Sequence, residues 1–245
     1  MRLALTILIG AGVGFLGGMF GKGGSAIATP LLAAIGVPPI VAVASPLPAT
    51  IPSTMVAYRR YRIAGVEDPG VVRSSIGFGV PATVAGAVLT RWVDGSALVT
   101  ITEVMVVGLG LRIVLTPDPG EVIRDVDHPR ARLAAVAVTV GLLAGLLANA
   151  GGFLLVPLYL AVLKLPIKTA LAASLAVATV LAVPGTVVHA ALGHIDWSVT
   201  AAFGAASTPT SSAGARVALR MNPARLERVY GAGLVAIGVV LALVG

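Results

Sequence analysis

Glycine and small polar residues interrupt a long apolar run at residues 21–30, which read GKGGSAIATP. The glycines leave backbone N–H groups open to a ligand, Lys22 brings one positive charge, and Ser25 brings a hydroxyl donor. Amide hydrogens at the start of a helix bind anions in many proteins, and a nearby cation strengthens that binding. The stretch therefore predicts an anion site whose candidate ligands are Gly21, Lys22, Gly23, Gly24 and Ser25.

A related stretch lies in the second half of the chain at residues 148–157, which read ANAGGFLLVP. Asn149 takes the place of Lys22, and Gly151 and Gly152 follow it, so these three residues are further candidate ligands. Short, glycine-interrupted apolar segments at matching places in two halves indicate the binding site of a transporter. Two alternatives stay open: one is that the glycines serve only close helix packing, and the other is that Lys22 extends its ammonium group to the membrane surface.

Three hydroxyl residues, Ser45, Ser174 and Thr208, complete the candidate oxyanion site. Thr208 belongs to the run STPTSS at residues 207–212, where we expect broken backbone around Pro209 to form a second wall of the site. For any single serine or threonine, a hydrogen bond to the carbonyl one turn earlier is the alternative role.

Titratable side chains give weaker signals. Glu103 lies inside an apolar segment and is a weak candidate for proton coupling or for pairing with Lys22, although an interfacial position explains it equally well. His189, His194 and Asp196 are considered as a metal or proton site, but ordinary loop polarity is the favoured interpretation. We therefore expect no catalytic residue, no metal and no cofactor.

The composition indicates that lipid, and not water, is the main solvent of this chain. Hydrophobic residues make up 57% and charged residues 11% of it, with a mean hydropathy of +1.00, whereas soluble domains carry about 25% charge. The net charge of +7 comes from Lys and Arg in short loops, which does not match a nucleic-acid footprint. The absence of cysteine excludes disulfides and thiolate chemistry.

Apolar segments of helical length must hold these residues in place. Most of the segments must be helices, because lipid offers backbone groups no partners and barrel strands would alternate in polarity. The predicted fold class is an all-α polytopic membrane protein with a broken or re-entrant short helix in each half. The short ones, 26–35 and 152–163, cannot span about 30 Å of hydrocarbon. The segments fall at 3–20, 26–35, 40–58, 74–90, 97–115, 133–148, 152–163, 167–189, 199–217 and 225–244.

Prolines, glycines and an aspartate recur at a constant separation of 128 residues, for example between positions 38 and 166 (166 − 38). These residue types fix or free the backbone, so their recurrence indicates a tandem duplication and not chance. We predict a first membrane repeat at 1–116, a cytoplasmic linker at 117–132 and a second membrane repeat at 133–245. The pairs are Pro38/Pro166, Ala42/Ala170, Gly65/Gly193, Asp68/Asp196, Pro81/Pro209, Gly86/Gly214 and Leu98/Leu226.

The basic residues indicate how the two halves are oriented. With five segments in each half, the halves run in opposite directions; one face then collects most of the basic residues, and the other keeps only Arg2 and Arg91. If the first two segments instead form one broken crossing, the charges divide almost evenly between the faces. The positive-inside bias therefore favours inverted repeats with both termini outside the cytoplasm. The predicted cytoplasmic residues are Arg59, Arg60, Arg62, Arg73, Arg112, Arg124, Arg130, Arg132, Lys164, Lys168, Arg216, Arg220, Arg225 and Arg228.

The paired motifs at 21–30 and 149–157, together with GVPPIVAVAS at 36–45 and GHIDW at 193–197, resemble those of the sulfite exporter (TauE/SafE-like) family, also called the toluene sulfonate uptake permeases. The resemblance covers nearly the whole chain. It implies an inner-membrane permease for sulfite, sulfonates or related organosulfur anions. The family's first motif usually reads Gly-x-Gly-Gly-Gly with an aliphatic second residue, where this chain has Lys22 and ends on Ser25.

The leading hypothesis is a secondary transporter that works by alternating access and holds its anion at half-helix N-termini near the membrane midplane. The alternatives are a passive anion channel, a carrier of non-sulfur anions such as carboxylates, and an intramembrane enzyme. The expected partners are the small anion and the lipid bilayer, without nucleic acid. Proton coupling and homo-oligomer formation are left open.

Overall fold

A computed structural model describes residues 2–21, 25–89, 111, 115, 130–146 and 152–244 of the chain. These residues form helices joined by short turns and contain no strand, so the all-α prediction is confirmed for them. The helices are α1 Arg2–Phe20, α2 Ser25–Ala34, α3 Pro39–Ala44, α4 Pro46–Ile63, α5 Pro69–Leu89, α6 Arg130–Leu146, α7 Gly152–Ala161, α8 Ile167–Ala191, α9 Trp197–Arg220 and α10 Pro223–Val244.

Three stretches in the described part are long and apolar enough to cross a bilayer: Arg2–Phe20, Pro39–Ile63 and Ile167–Ala191. They correspond to α1, to α3 with α4, and to α8. Large apolar side chains also cover outward faces, with Leu8 67% and Val187 62% exposed. Exposed apolar surface of this kind suits contact with lipid tails.

The two short helices predicted from the sequence are present. Helices α2 and α7 each contain 10 residues, a length of about 15 Å at 1.5 Å per residue. Each has a proline in its interior, Pro30 and Pro157. A helix of this length crosses only about half of a bilayer core.

Helix bounds and turn geometries recur along the chain. The span Pro39–Ile63 has the same length as Ile167–Ala191, and both bounds are 128 residues apart (167 − 39 and 191 − 63). The glycines that end these spans have φ angles of 68° at Gly65 and 69° at Gly193. After each turn an aspartate side chain caps the next helix. Asp68 Oδ1 accepts from Gly70 and Val71, and Asp196 Oδ1 accepts from Ser198 and Val199.

Helix α1 lies very close to α9, and glycines make this approach possible. A Cβ added at Gly10 would lie 2.6 Å from the carbonyl oxygen of Phe203, and one at Gly18 would collide with the backbone of Ser211. Helices α5 and α6 approach each other in the same way, because a Cβ at Gly141 would lie 2.5 Å from a backbone oxygen of α5. Small residues at four-residue spacing allow this packing in membranes.

Helix α8 is the central element of the core. Its residues from 170 to 178 are all buried, and they pack against the apolar side chains of α7 and against the ends of α1, α4 and α10. A stretch of helix that is buried on every side lies inside a bundle. Two buried tyrosines connect further elements, since Tyr61 donates to Gly18 O at 3.1 Å and Tyr159 donates to Ser75 Oγ at 2.7 Å.

Hydrogen bonds bring the basic residues of α4, α8 and α9 to one end of the bundle. Arg60 Nε donates to Ser212 Oγ at 2.9 Å, and Lys168 Nζ donates to the carbonyl of Leu219 at 2.8 Å. We call this the basic end. Its residues in the ends and turns of these helices and of α10 are Arg59, Arg60, Arg62, Lys164, Lys168, Arg216, Arg220, Arg225 and Arg228.

The opposite end joins the start of α4 to the start of α9. Ser45 Oγ accepts from the backbone N–H of Asp196 at 3.0 Å, and Thr200 Oγ1 donates to Ser45 O at 2.8 Å. Helices α4 and α9 are therefore hydrogen-bonded to each other near both of their ends.

Candidate functional site

Gly21 and Ser174, two predicted site residues from different halves of the chain, lie in contact. Ser174 Oγ donates to Gly21 O at 3.2 Å and to Leu171 O at 3.0 Å, and both residues are buried. Gly21 has a φ angle of 64°, and a Cβ there would collide with Ser174 Oγ and lie 2.8 Å from Val156 Cγ2. The backbone that follows α1 therefore lies directly against α7 and α8, in a conformation and a space that only glycine fits.

The end of α1 lies inside the bundle, two to three turns along α10 from its first residue. The Phe20 ring packs edge-on against Tyr230, with ring centroids 5.7 Å apart, and a Cβ at Gly233 would lie 3.4 Å from it. Tyr230 and Gly233 follow Pro223, the first residue of α10, by seven and ten residues (230 − 223 and 233 − 223). At 1.5 Å per residue they lie about 10–15 Å inward from the basic end. Gly21 follows Phe20 directly and is itself buried, so it lies within the bundle.

A cavity of about 30 Å³ lies between α1, α4, α8 and α9, next to this contact. By this measure it has room for about two water molecules. Gly18 and Leu175 line it and are close in sequence to Gly21 and Ser174. Its lining contains five hydroxyl side chains and no charged one. The lining residues are Val13, Gly14, Gly17, Gly18, Pro46, Thr50, Ser53, Thr54, Leu175, Phe203, Ser207 and Ser211.

The hydroxyl groups of the cavity now bond to backbone carbonyls. Thr50 Oγ1 donates to Pro46 O at 3.0 Å, Thr54 Oγ1 to Thr50 O at 2.8 Å, and Ser211 Oγ across the helix interface to Ser53 O at 2.7 Å. These are the one-turn-earlier bonds that the sequence left open as an alternative role, with one bond between helices. A hydroxyl rotates about its C–O bond, so each group can donate its hydrogen bond to a ligand in place of the carbonyl without backbone movement.

One hydroxyl pair joins the two halves at the middle of the bundle. Thr54 Oγ1 and Thr179 Oγ1 are 2.7 Å apart, on α4 and α8 respectively. Both hydroxyls lie within otherwise apolar helices. The contact links the cavity to the central helix.

The other predicted hydroxyls lie beside the cavity. Ser45 is adjacent to Pro46 in sequence and holds the start of α9, while Thr208 accepts from Ser211 through its carbonyl. Within the run 207–212 it is Ser207 and Ser211 that line the cavity, because residues four apart share one helix face. The four-residue spacing of Gly10, Gly14 and Gly18 on α1 is the signal that points to this face.

The expected break around Pro209 is wrong. Helix α9 runs from Trp197 to Arg220 without interruption, and Pro209 lies exposed on it. In membrane helices an internal proline is tolerated where neighbouring helices and hydroxyl side chains satisfy the freed backbone groups. The wall of the cavity is therefore a regular helix.

The starts of both short helices are as the glycine motifs predict, since α2 begins at Ser25 and α7 at Gly152. The remaining candidates lie outside the described residues, so their roles stay predictions: Lys22, Gly23, Gly24, Asn149, Gly151 and Glu103. No group of three or more metal-ligating side chains occurs within the described ranges.

The apolar helices and the polar cavity buried between them define a multi-helix membrane protein. A family model described as sulfite exporter TauE/SafE matches residues 6–241. The chain belongs to this family of membrane transporters, so the resemblance noted in the sequence is confirmed.

Relatives cover almost the whole chain. A protein of Xylella fastidiosa (strain 9a5c) named "Probable membrane transporter protein" is 26% identical over an alignment of 248 positions, which covers 96% of this chain and 94% of the relative. "Probable membrane transporter protein YunE" of Bacillus subtilis (strain 168) is 23% identical over an alignment of 266 positions, which covers 97% of this chain and 96% of that protein. No solved structure matches.

Proposed function

We propose that this protein is a secondary transporter that moves sulfite, a sulfonate or a related organosulfur anion across the membrane by alternating access. The observation that carries the proposal is the contact between Gly21 and Ser174. It joins the end of α1 to α7 and α8 inside the bundle, beside a cavity lined with hydroxyls. The substrate class follows from the name of the family.

We assign the anion to the region where the two short helices begin. Unpaired N–H groups and the positive end of the helix dipole face the residues that precede Ser25 and Gly152. Gly23, Gly24 and Gly151 would allow an anion to reach that backbone, and Lys22 and Asn149 would add side-chain donors. Ser174 and the cavity hydroxyls provide the opposite wall.

The packing of the helices supports two inverted repeats. Helix α1 of the first half packs closely on α9 of the second, and α6 of the second half packs closely on α5 of the first. Helices α1 and α6 begin 128 residues apart (130 − 2), as do α5 and α9 (197 − 69). Reciprocal pairs of this kind arise when a two-fold axis relates two copies of one unit.

The contacts between α4 and α9 support a closed conformation. These helices are hydrogen-bonded at the basic end through Arg60 and Ser212 and at the opposite end through Ser45 and Asp196. A cavity of about 30 Å³ is smaller than an oxyanion needs. Opening to either side therefore requires one of these contacts to separate, as rocking of one half against the other would do.

The basic end is proposed to face the cytoplasm, because positive residues are retained on that side. With α1 beginning at the opposite end, the N-terminus then lies outside the cytoplasm of an inner membrane. Single-cysteine labelling from outside intact cells tests this, since the chain contains no cysteine of its own. Ser198→Cys is expected to react with an impermeant reagent, and Arg216→Cys is not.

Flux into proteoliposomes tests the function. Uptake of sulfite or a sulfonate is expected to saturate with concentration, and Ser174→Ala and Lys22→Ala are each expected to weaken the apparent affinity by about tenfold, or about 1.4 kcal/mol. Thr186→Ala is the matched control, because Thr186 lies on the same helix and donates to Ala182 O within that helix. Unchanged affinity in both site variants would contradict the anion site.

The same assay separates the alternatives. Flux that does not saturate indicates a passive channel, and competition by carboxylates indicates a carrier of non-sulfur anions.

Proton coupling is tested with Glu103→Gln, and with Glu227→Gln on α10, whose carboxyl side chain is buried at 5% exposure. Replacing the acid that carries the coupling proton is expected to make uptake independent of a pH gradient.

A further inference from the structure

Two histidines face each other at the end of the bundle opposite the basic end. His189 lies in the last turn of α8, and His194 lies in the turn that leads to α9. Their Nδ1 atoms are 3.2 Å apart and their ring centroids 5.4 Å apart, with a hydrogen bond between the rings. Both side chains are partly exposed, so water reaches the pair.

The turn that carries the pair is held by backbone hydrogen bonds. Gly193 has a φ of 69°, His194 N donates to His189 O at 3.0 Å, and Asp196 caps α9 immediately afterwards. The bond between the two backbones fixes both Cα positions. Two ligands held this way lose little conformational freedom when they bind an ion.

The turn itself does not require histidine. The corresponding turn in the first half has Gly65 at a φ of 68°, and Val66 N donates to Tyr61 O at 3.3 Å. The backbone geometry is the same, with Tyr61 and Val66 in place of the two imidazoles. The histidine pair therefore adds a chemical property that the fold does not supply.

We propose that His189 and His194 form a binding site for a divalent transition-metal ion such as Zn²⁺, Cu²⁺ or Ni²⁺. Imidazole nitrogens bind these ions at about 2.0–2.1 Å, and a tetrahedral angle then separates two ligand nitrogens by about 3.3–3.4 Å. The observed 3.2 Å between the Nδ1 atoms fits this spacing. When the ion binds, the imidazole that donates the hydrogen bond between the rings changes tautomer. Its proton is then on Nε2 and no longer on Nδ1, so that both Nδ1 lone pairs face the ion.

Water completes the coordination, since the two imidazoles supply two ligands and the site is open to solvent. The ion would join the end of α8 to the start of α9, at the same end as the Ser45–Asp196 bond and away from the cavity. Neither histidine lines the cavity, so metal binding can be measured without the anion. The chemical class of the ligand is a borderline metal ion that prefers nitrogen, not Mg²⁺ or Ca²⁺.

The test uses the full chain, purified in detergent after removal of any polyhistidine tag, with the metal salt alone as ligand. Trp197 is 61% exposed and lies three residues after His194, so bound Cu²⁺ is expected to quench its fluorescence. Trp92→Phe leaves Trp197 as the single tryptophan. We expect saturable quenching by Cu²⁺ and, in a parallel scan, an increased melting temperature with Zn²⁺.

His189→Gln and His194→Gln are each expected to weaken Cu²⁺ binding at least about tenfold and to remove the Zn²⁺ shift. His128→Gln is the matched control, because it removes the one other histidine of the chain and is expected to change neither readout. A monodisperse size-exclusion profile checks the fold of each variant, and Cu²⁺ electron paramagnetic resonance of the parent reports nitrogen ligands directly. Binding that survives both substitutions, or a spectrum without imidazole nitrogen coupling, would overturn the proposal.

Discussion

Gly21 shows how a single residue can determine the geometry of the candidate site. Its backbone is in the left-handed region, and the space where a Cβ would lie is occupied by Ser174 Oγ and approached by Val156. Gly65 has nearly the same φ but nothing within 4 Å of its Cβ position. Comparing substitutions at these two glycines therefore separates the cost of backbone strain from the cost of steric collision.

Gly65→Ala is expected to cost about 1–2 kcal/mol, which is the cost of the left-handed conformation. Gly21→Ala is expected to cost clearly more, because the collision adds to the same strain. Thermal melting of both variants in detergent measures the difference. Equal melting temperatures would mean that the Gly21–Ser174 contact is not formed.

Asp196 provides a prediction that depends on pH. Hydrogen bonds from the Ser198 side chain, then from the Val199 and Ser198 N–H groups, lower the pKa of Asp196 below its usual range. The pKa of Asp196 is lower in the folded than in the unfolded protein. The ionised carboxylate therefore stabilises the folded state above about pH 3.9, and this stabilisation is lost as the pH falls through the folded pKa. Asp196→Ala is expected to cost about 1 kcal/mol at pH 7, with a smaller loss below pH 4.

The matched variant for this prediction is Asp68→Ala, which removes the equivalent cap in the first half. Melting curves of both variants and the parent between pH 3.5 and 7 provide the comparison. An Asp196→Ala loss that stays constant over this range would show that the carboxylate form is not what stabilises the start of α9.

At the scale of elements, the sequence predicted the short helices but neither the caps nor the packing. It marked Gly65, Gly193, Asp68 and Asp196 only as recurring pairs, although turns and caps depend on local residue type. The uninterrupted course of α9 through Pro209 could not be found from sequence, since it depends on neighbours that are distant in sequence. The cavity lining also depends on which face of α9 meets α1.

The contact between α1 and α9 yields a prediction for two glycines on one helix. Gly18→Ala is expected to lower the melting temperature, because its Cβ would collide with the backbone of Ser211. Gly12→Ala is expected to be neutral or to stabilise by up to about 1 kcal/mol, because its Cβ position is open and alanine favours helix. A lower melting temperature for Gly12→Ala than for Gly18→Ala would contradict the packing.

At the scale of the whole molecule, much of the fold could be predicted from the sequence because lipid is the solvent. The lengths of the apolar segments predicted the helical class and the short helices, and the constant separation of prolines and glycines predicted the duplication. Function required more, because five hydroxyls on α4 and α9 form one cavity only when their helices cross. Hydroxyls that look like separate helix-internal groups in sequence thus become a common surface.

The central claim is that an anion binds where the two short helices begin, against the hydroxyls of the cavity between α1, α4, α8 and α9. The chain has no cysteine, so Ser207→Cys in the lining and Ser198→Cys at the exposed start of α9 each give one reactive thiol. Maleimide labelling is measured with increasing ethanesulfonate, because sulfite itself would consume the reagent. We predict saturable protection of Ser207→Cys and none of Ser198→Cys, whereas equal labelling of Ser207→Cys with and without the sulfonate would contradict the claim.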